Sequence, residues 1–137
     1  MLSLVPSQVQ QIERQWVQSV LSPGEFDVWN NMMMQDRRHS VLVGRRFVKH
    51  RPTAMQSEIA GALLHDVGKS VARLGTFGRV IATLVGPRTN RFRQYHDHEA
   101  IGAAMLQSIG SDEITVSMVE GSCDGELRQA LNRADDI

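Results

Sequence analysis

Apolar residues recur along this chain at three- and four-residue steps, without the alternation of strands, which restricts it to a set of packed helices. Its four prolines, Pro6, Pro23, Pro52 and Pro87, all stand where a helix can begin or end. Ser7 or Pro6 opens a first amphipathic helix running to about Leu21, in which Val9, Ile12, Trp16 and Val20 recur at helical steps. Ser22-Pro23-Gly24-Glu25 has the form of a capping box and starts a shorter second helix bearing Phe26, Val28, Trp29, Met32 and Met33. Asp36 is the expected cap of a third helix, which stops before Arg51-Pro52 because a residue preceding proline resists the helical region. A fourth carries Met55, Ile59, Ala62 and Leu63 and runs into a His65-Asp66 doublet. Beyond Gly68 and Gly75, helices are expected over Thr76 to Val85, over Ala100 to Ile109 with Gly110 as its stop, and from Ser111-Asp112-Glu113 to near Gly121. Asp124 or Gly125 begins the last. The expected fold is a compact all-α bundle of about six to eight helices in a single domain, residues 1–137, with 1–35 as a helical extension packing on a core of 36–137.

The stretch Ala62-Leu63-Leu64-His65-Asp66-Val67-Gly68-Lys69 puts an imidazole and a carboxylate side by side at the end of an apolar run. Both are ligands for a divalent metal. Adjacent helical residues point about 100° apart, so other elements must complete any shared site. His39 is followed by Leu42, Val43 and Phe47, which places its imidazole on the buried stripe of the third helix, where it needs a partner. In the last helix Leu127, Ala130, Leu131 and Ala134 share a face; Asp135 lies within about 40° of it, whereas Asp136 is rotated well off. Taken singly, His39 reads as a satisfied core histidine, Asp66 as a cap on a following turn and Asp135 as a solvated helix-end carboxylate. Together, two carboxylates beside apolar stripes are more simply explained by a common buried cation. His50, at the end of an arginine-rich helix, and His96, in the exposed approach to a later one, stay outside this set.

A histidine, a His-Asp doublet and a distant aspartate preceded by Leu-x-x-Ala, in that order, resemble the HD superfamily of metal-dependent phosphohydrolases over roughly His39 to Asp135. The segment Tyr95-His96-Asp97-His98-Glu99-Ala100-Ile101-Gly102-Ala103 is similar to the helix start that many HD proteins carry after the doublet, with His98 as the matching histidine. The resemblance implies an HD-domain-like bundle in which His39, His65, Asp66 and Asp135 hold a divalent ion: iron, manganese, magnesium, nickel, cobalt or zinc. It also implies that Asp66 contacts the nucleophilic water as proton acceptor. Lys69, one helical turn after His65, can reach a substrate phosphate if the helix persists, with an ordinary surface lysine as the competing reading. His98 is a candidate for orienting a phosphate or ligating a second ion. Lys69 and Ser70 replace the acidic residues that several nucleotidases of the superfamily place after the doublet, which moves the resemblance toward the His-Asp-x-Gly-Lys branch, although no Gly-Tyr-Pro motif occurs. The paired histidines of binuclear members are absent from Ile114 to Glu126, which points to one metal per site, with His98 and Glu120 as partial substitutes for a second. The implied activity is hydrolysis of a phosphomonoester or phosphodiester in a small phosphorylated metabolite, a nucleotide for preference. The alternative is a catalytically impaired metal- or nucleotide-binding sensor or interaction module.

Composition narrows the partners. Zero formal charge and a pI near 7.0 give no support to bulk nucleic-acid or acidic-membrane binding. Cys123 is the single cysteine, so no intrachain disulfide can form, and a reducing, cytoplasmic setting fits best. No segment approaches the roughly twenty apolar residues of a membrane span. A homodimer stays open, since Trp16 and Trp29 could bury against the bundle or a second subunit. Arg37, Arg38, Arg45, Arg46, Lys49 and Arg51 cluster around the third helix, and Arg79, Arg88, Arg91 and Arg93 follow the doublet. Some are expected at a pocket mouth, but for any one of them a solvated helix face is as good an account. Beyond Asp135 no helix stop signal is visible, so the last ligand is expected to be loosely held or the chain shortened there.

Overall fold

The computed structural model describes residues 6–69 and 97–136. The expected helix over Thr76 to Val85, the arginines from Arg79 to Arg93, Tyr95 and His96 lie outside them. The described residues form seven helices and no strand: α1 Pro6–Val20, α2 Pro23–Asn30, α3 Met34–His50, α4 Gln56–Leu64, α5 Asp97–Ser108, α6 Glu113–Glu120 and α7 Gly125–Asp135.

Cap chemistry sets most boundaries. Ser22 Oγ accepts from the Glu25 amide while Glu25 Oε1 accepts from the Ser22 amide, closing the capping box of α2. The second oxygen of the buried Glu25 accepts from Ser111 Oγ at 2.7 Å, tying α2 to the connection before α6. Asp112 and Asp124 cap α6 and α7, and Gly110 and Gly121 take the left-handed conformations that follow α5 and α6. The third helix begins earlier than expected: Met33 is its N-cap, and Asp36 lies in its first turn, where a carboxylate favours the helix dipole without capping.

Helix α4 is the centre of the bundle. It packs against α3 and α6; α3 also packs against α7, and α6 against α5. Leu63 and Leu64 enter one apolar core with Val17, Leu21, Trp29 and Leu106, while Ala62 enters a second with Val43, Phe47, Met118 and Leu131. Full burial of each large side chain contributes roughly 1.5–3 kcal/mol. The N-terminal helices therefore share the core of the bundle. Trp29 is buried, and its indole N–H donates to Ser40 Oγ at 2.8 Å. Trp16 is half-buried beneath the Arg45 guanidinium, 3.8 Å from its ring centre. Among the described residues, no helix is long and apolar enough to cross a membrane.

Candidate metal centre

Three separate segments bring His39, His65, Asp66 and Asp135 together. One donor atom from each lies within 4.8 Å of all the others. His39 projects from the middle of α3 toward α7, where its Nε2 is 3.0 Å from Asp135 Oδ1. His39 does not sit on the buried stripe expected of it: its side chain is 42% exposed, as is that of Asp135, while Val43 and Phe47 are fully buried and Leu42 is 47% exposed.

The doublet is not inside a helix. α4 ends at Leu64, His65 is its C-cap residue, and Asp66 follows in a turn before Val67. His65 keeps helical backbone angles, φ −59° and ψ −30°, and its Nε2 lies 3.3 Å from Asp66 Oδ2 and 3.3 Å from Asp135 Oδ1. His65 Nδ1 is 2.8 Å from the Ala62 carbonyl oxygen. A carbonyl only accepts, so Nδ1 carries the proton and the Nε2 lone pair is directed at the carboxylates. That nitrogen is buried and makes no aligned hydrogen bond to either.

A lone pair aimed at two anionic oxygens is repulsive unless a cation sits between them. Either a second proton on His65 or a metal ion satisfies this. Burial disfavours the charged ring, but the Asp135 and Asp66 carboxylates outweigh it and lift the pKa of His65 to about 10. Burial pushes Asp66 up, yet His65 and then Lys69 bring it below its usual range. Asp135 is held well below that range, chiefly by His65.

The donor set fits a metal. Ligands about 2.1 Å from one ion lie ~3.0 Å apart when adjacent and at most ~4.2 Å when opposite. The 3.0 and 3.3 Å separations match the adjacent case, and the widest, at most 4.8 Å, needs to contract by no more than about 0.6 Å to span opposite positions. The donation from His65 Nδ1 to a backbone carbonyl is the outer support that fixes a ligating imidazole.

Lys69 Nζ lies 3.6 Å from Asp66 Oδ1, the carboxylate oxygen turned away from His65. His65, Asp66, Gly68, Lys69, His98 and Glu99 line a cleft of about 30 Å³. His98 therefore borders the site from the start of α5 without joining the four-residue donor set. Glu120 is exposed and accepts from Ser122. Gly68 permits this arrangement, since a Cβ there would overlap the His98 backbone carbonyl.

One contributor was not singled out from the sequence. Arg46 Nε donates to the Ala134 carbonyl at 3.0 Å, and its Nη2 lies 3.2 Å from the Arg133 carbonyl and 3.3 Å from that of Asp136. The expected looseness at Asp135 is thus countered from α3, whose arginine satisfies the last carbonyls of α7. Its signal was the spacing of seven from His39, which stacks the two on one helix face two turns apart. Other basic residues of this helix are also structural: Arg37 donates to the Asn30 and Met32 carbonyls, and Arg51 pairs with the buried Glu58 at 3.0 Å.

No family model, no curated protein and no solved structure matches this chain.

Proposed function

We propose that this protein is a metal-dependent phosphohydrolase of the HD superfamily, holding one divalent ion through His39, His65, Asp66 and Asp135 and acting on a small phosphorylated metabolite, a nucleotide for preference. The observation that carries this reading is the buried Nε2 of His65, its tautomer set by Ala62, directed between two carboxylates from distant parts of the chain. A bound divalent ion would supply a water of lowered pKa and polarise a phosphoryl oxygen. Asp66, with one oxygen toward His65 and the other toward Lys69, would take the proton of the attacking water. Lys69 balances that carboxylate and offers its ammonium to an incoming phosphate. His98 and Glu99 also line the cleft, where the imidazole would orient the same group.

The competing reading is a sensor that binds metal and nucleotide without turnover. It is favoured by the Lys69–Asp66 contact, which occupies the oxygen a general base needs. Phosphate release from a nucleotide panel with manganese, iron, nickel, cobalt or magnesium separates the two. Hydrolysis that disappears in Asp66→Ala supports the enzyme; stoichiometric metal with no turnover of any substrate supports the sensor. Elemental analysis that finds no metal in the wild type after loading, and no difference from His39→Ala, overturns both.

A further inference from the structure

We propose that the trough between α1 and α3 is a docking site for an acidic amphipathic helix of a partner protein. It lies on the face of α3 opposite His39 and does not depend on the metal centre. Its volume is about 570 Å³. Trp29 and Val41 contribute to the lining, together with Met34 and Leu42, which are 52% and 47% exposed.

Charge sets the sign of the occupant. Arg14, Arg37, Arg38 and Arg45 line the trough against one carboxylate, Glu13, which is already paired with Arg45 at 3.2 Å. Among the described residues, Arg14 and Arg38 enter no ion pair, while Arg37 keeps its charge unpaired but spends one nitrogen on the Asn30 and Met32 carbonyls. Three of the guanidinium groups rest against aromatic rings: Arg14 lies 5.5 Å from the Phe26 ring centre, Arg37 5.9 Å from Trp29, and Arg45 3.8 Å from Trp16. Stacked guanidinium groups have already given up much of their rotamer freedom, so less is lost when they meet an anion.

Spacing favours a helix over a compact anion. From Met34 to Arg45 the lined face of α3 is about 17 Å long, three turns of helix, and Arg38 and Arg45 are separated by about 11 Å along it. Carboxylates two turns apart on a docked helix match this separation, and the exposed apolar stretch between the two cations gives a compact anion nothing to contact. Apolar side chains at i, i+3 or i+4, and i+7 of that helix would cover Met34 and Leu42 between them. The chain's own segment 70–96 has the wrong sign for this role, with five arginines and no acidic residue.

The test is selection from a phage-displayed library of helix-biased 16-residue peptides, unbiased in charge, against the full chain, with Arg38→Glu and Leu42→Glu as comparison proteins. Both substitutions replace exposed side chains, and circular dichroism checks that the fold is kept. The expected result is enrichment of peptides with Asp or Glu flanking an apolar stripe. A synthetic example should bind the wild type in the ten-micromolar range, lose at least tenfold in affinity with either variant, and weaken as salt is raised. Failure to enrich acidic helices, or binding unchanged in both variants, overturns the proposal. So would displacement of a fluorescent probe from the trough by dodecanoate alone, or concentration-dependent dimerisation of the wild type that Leu42→Glu abolishes, since the occupant would then be a small amphiphile or a second copy.

Discussion

Replacing Arg46 with methionine keeps an unbranched apolar stem on α3 and removes the guanidinium donors that hold the last carbonyls of α7. The wild-type guanidinium reaches three carbonyl oxygens at 3.0, 3.2 and 3.3 Å, the last two sharing one nitrogen, so the loss amounts to about two independent bonds from a charged donor. Such bonds contribute roughly 1.5–3 kcal/mol each when well shielded. Two of the three here are solvent-exposed, which brings the expected loss of stability to about 1–2 kcal/mol in total. The larger effect should fall on the metal. Asp135 lies between the carbonyls that Arg46 holds, and removing outer support of this kind typically lowers metal affinity by about 10–100-fold. Isothermal titration with manganese or nickel measures the affinity, and hydrogen exchange at the Asp135 and Asp136 amides measures fraying. Arg45→Met, one residue away, turned about 100° from Arg46 and paired with Glu13, serves as the control and should leave metal affinity unchanged. Wild-type affinity in Arg46→Met, or an equal loss in both variants, would refute the assignment of Arg46 as the residue that positions Asp135.

Gly68→Ala should lower the thermal midpoint by on the order of 10 °C, because the new Cβ collides with backbone at His98, which cannot yield as a flexible side chain would. A midpoint within 2 °C of wild type would contradict the close approach. In the metal-free protein the folded pKa of His65 is raised from 6.5 to about 10, so its contribution is full below pH 6.5 and is lost as pH rises toward 10. The lowered pKa values of Asp66 and Asp135 act in the other direction, contributing above about pH 4 and failing as pH falls through their folded values. Metal-free stability should therefore peak between these limits, and its decline above neutrality should disappear in His65→Gln. Metal binding requires an unprotonated Nε2, so loading should release a proton, measurable as a buffer-dependent heat of binding.

Much of the bundle was legible because its signals are local. Ser22 with Glu25 fixes a helix start through hydrogen bonds that span three residues, and Gly110 and Gly121 mark helix ends by a backbone conformation that other residues resist. The face shared by Leu127, Ala130, Leu131 and Ala134 is buried as its periodicity requires. Local signals were less complete in α3, where Leu42 has a stripe position but is 47% exposed among the described residues. Periodicity states which residues share a face, while the partner helices determine how wide a strip of that face is covered.

The amino-acid order by itself determined the all-helical class, most helix limits and the four candidate ligands, since each depends on residue type and on spacings of a few positions. Only the tertiary structure decided that Asp135 meets His39 and His65, and that Arg46 holds the end of α7 from another helix. Those outcomes depend on distances between residues as many as 96 positions apart in the chain, which are set by how whole helices pack and not by any short stretch of sequence.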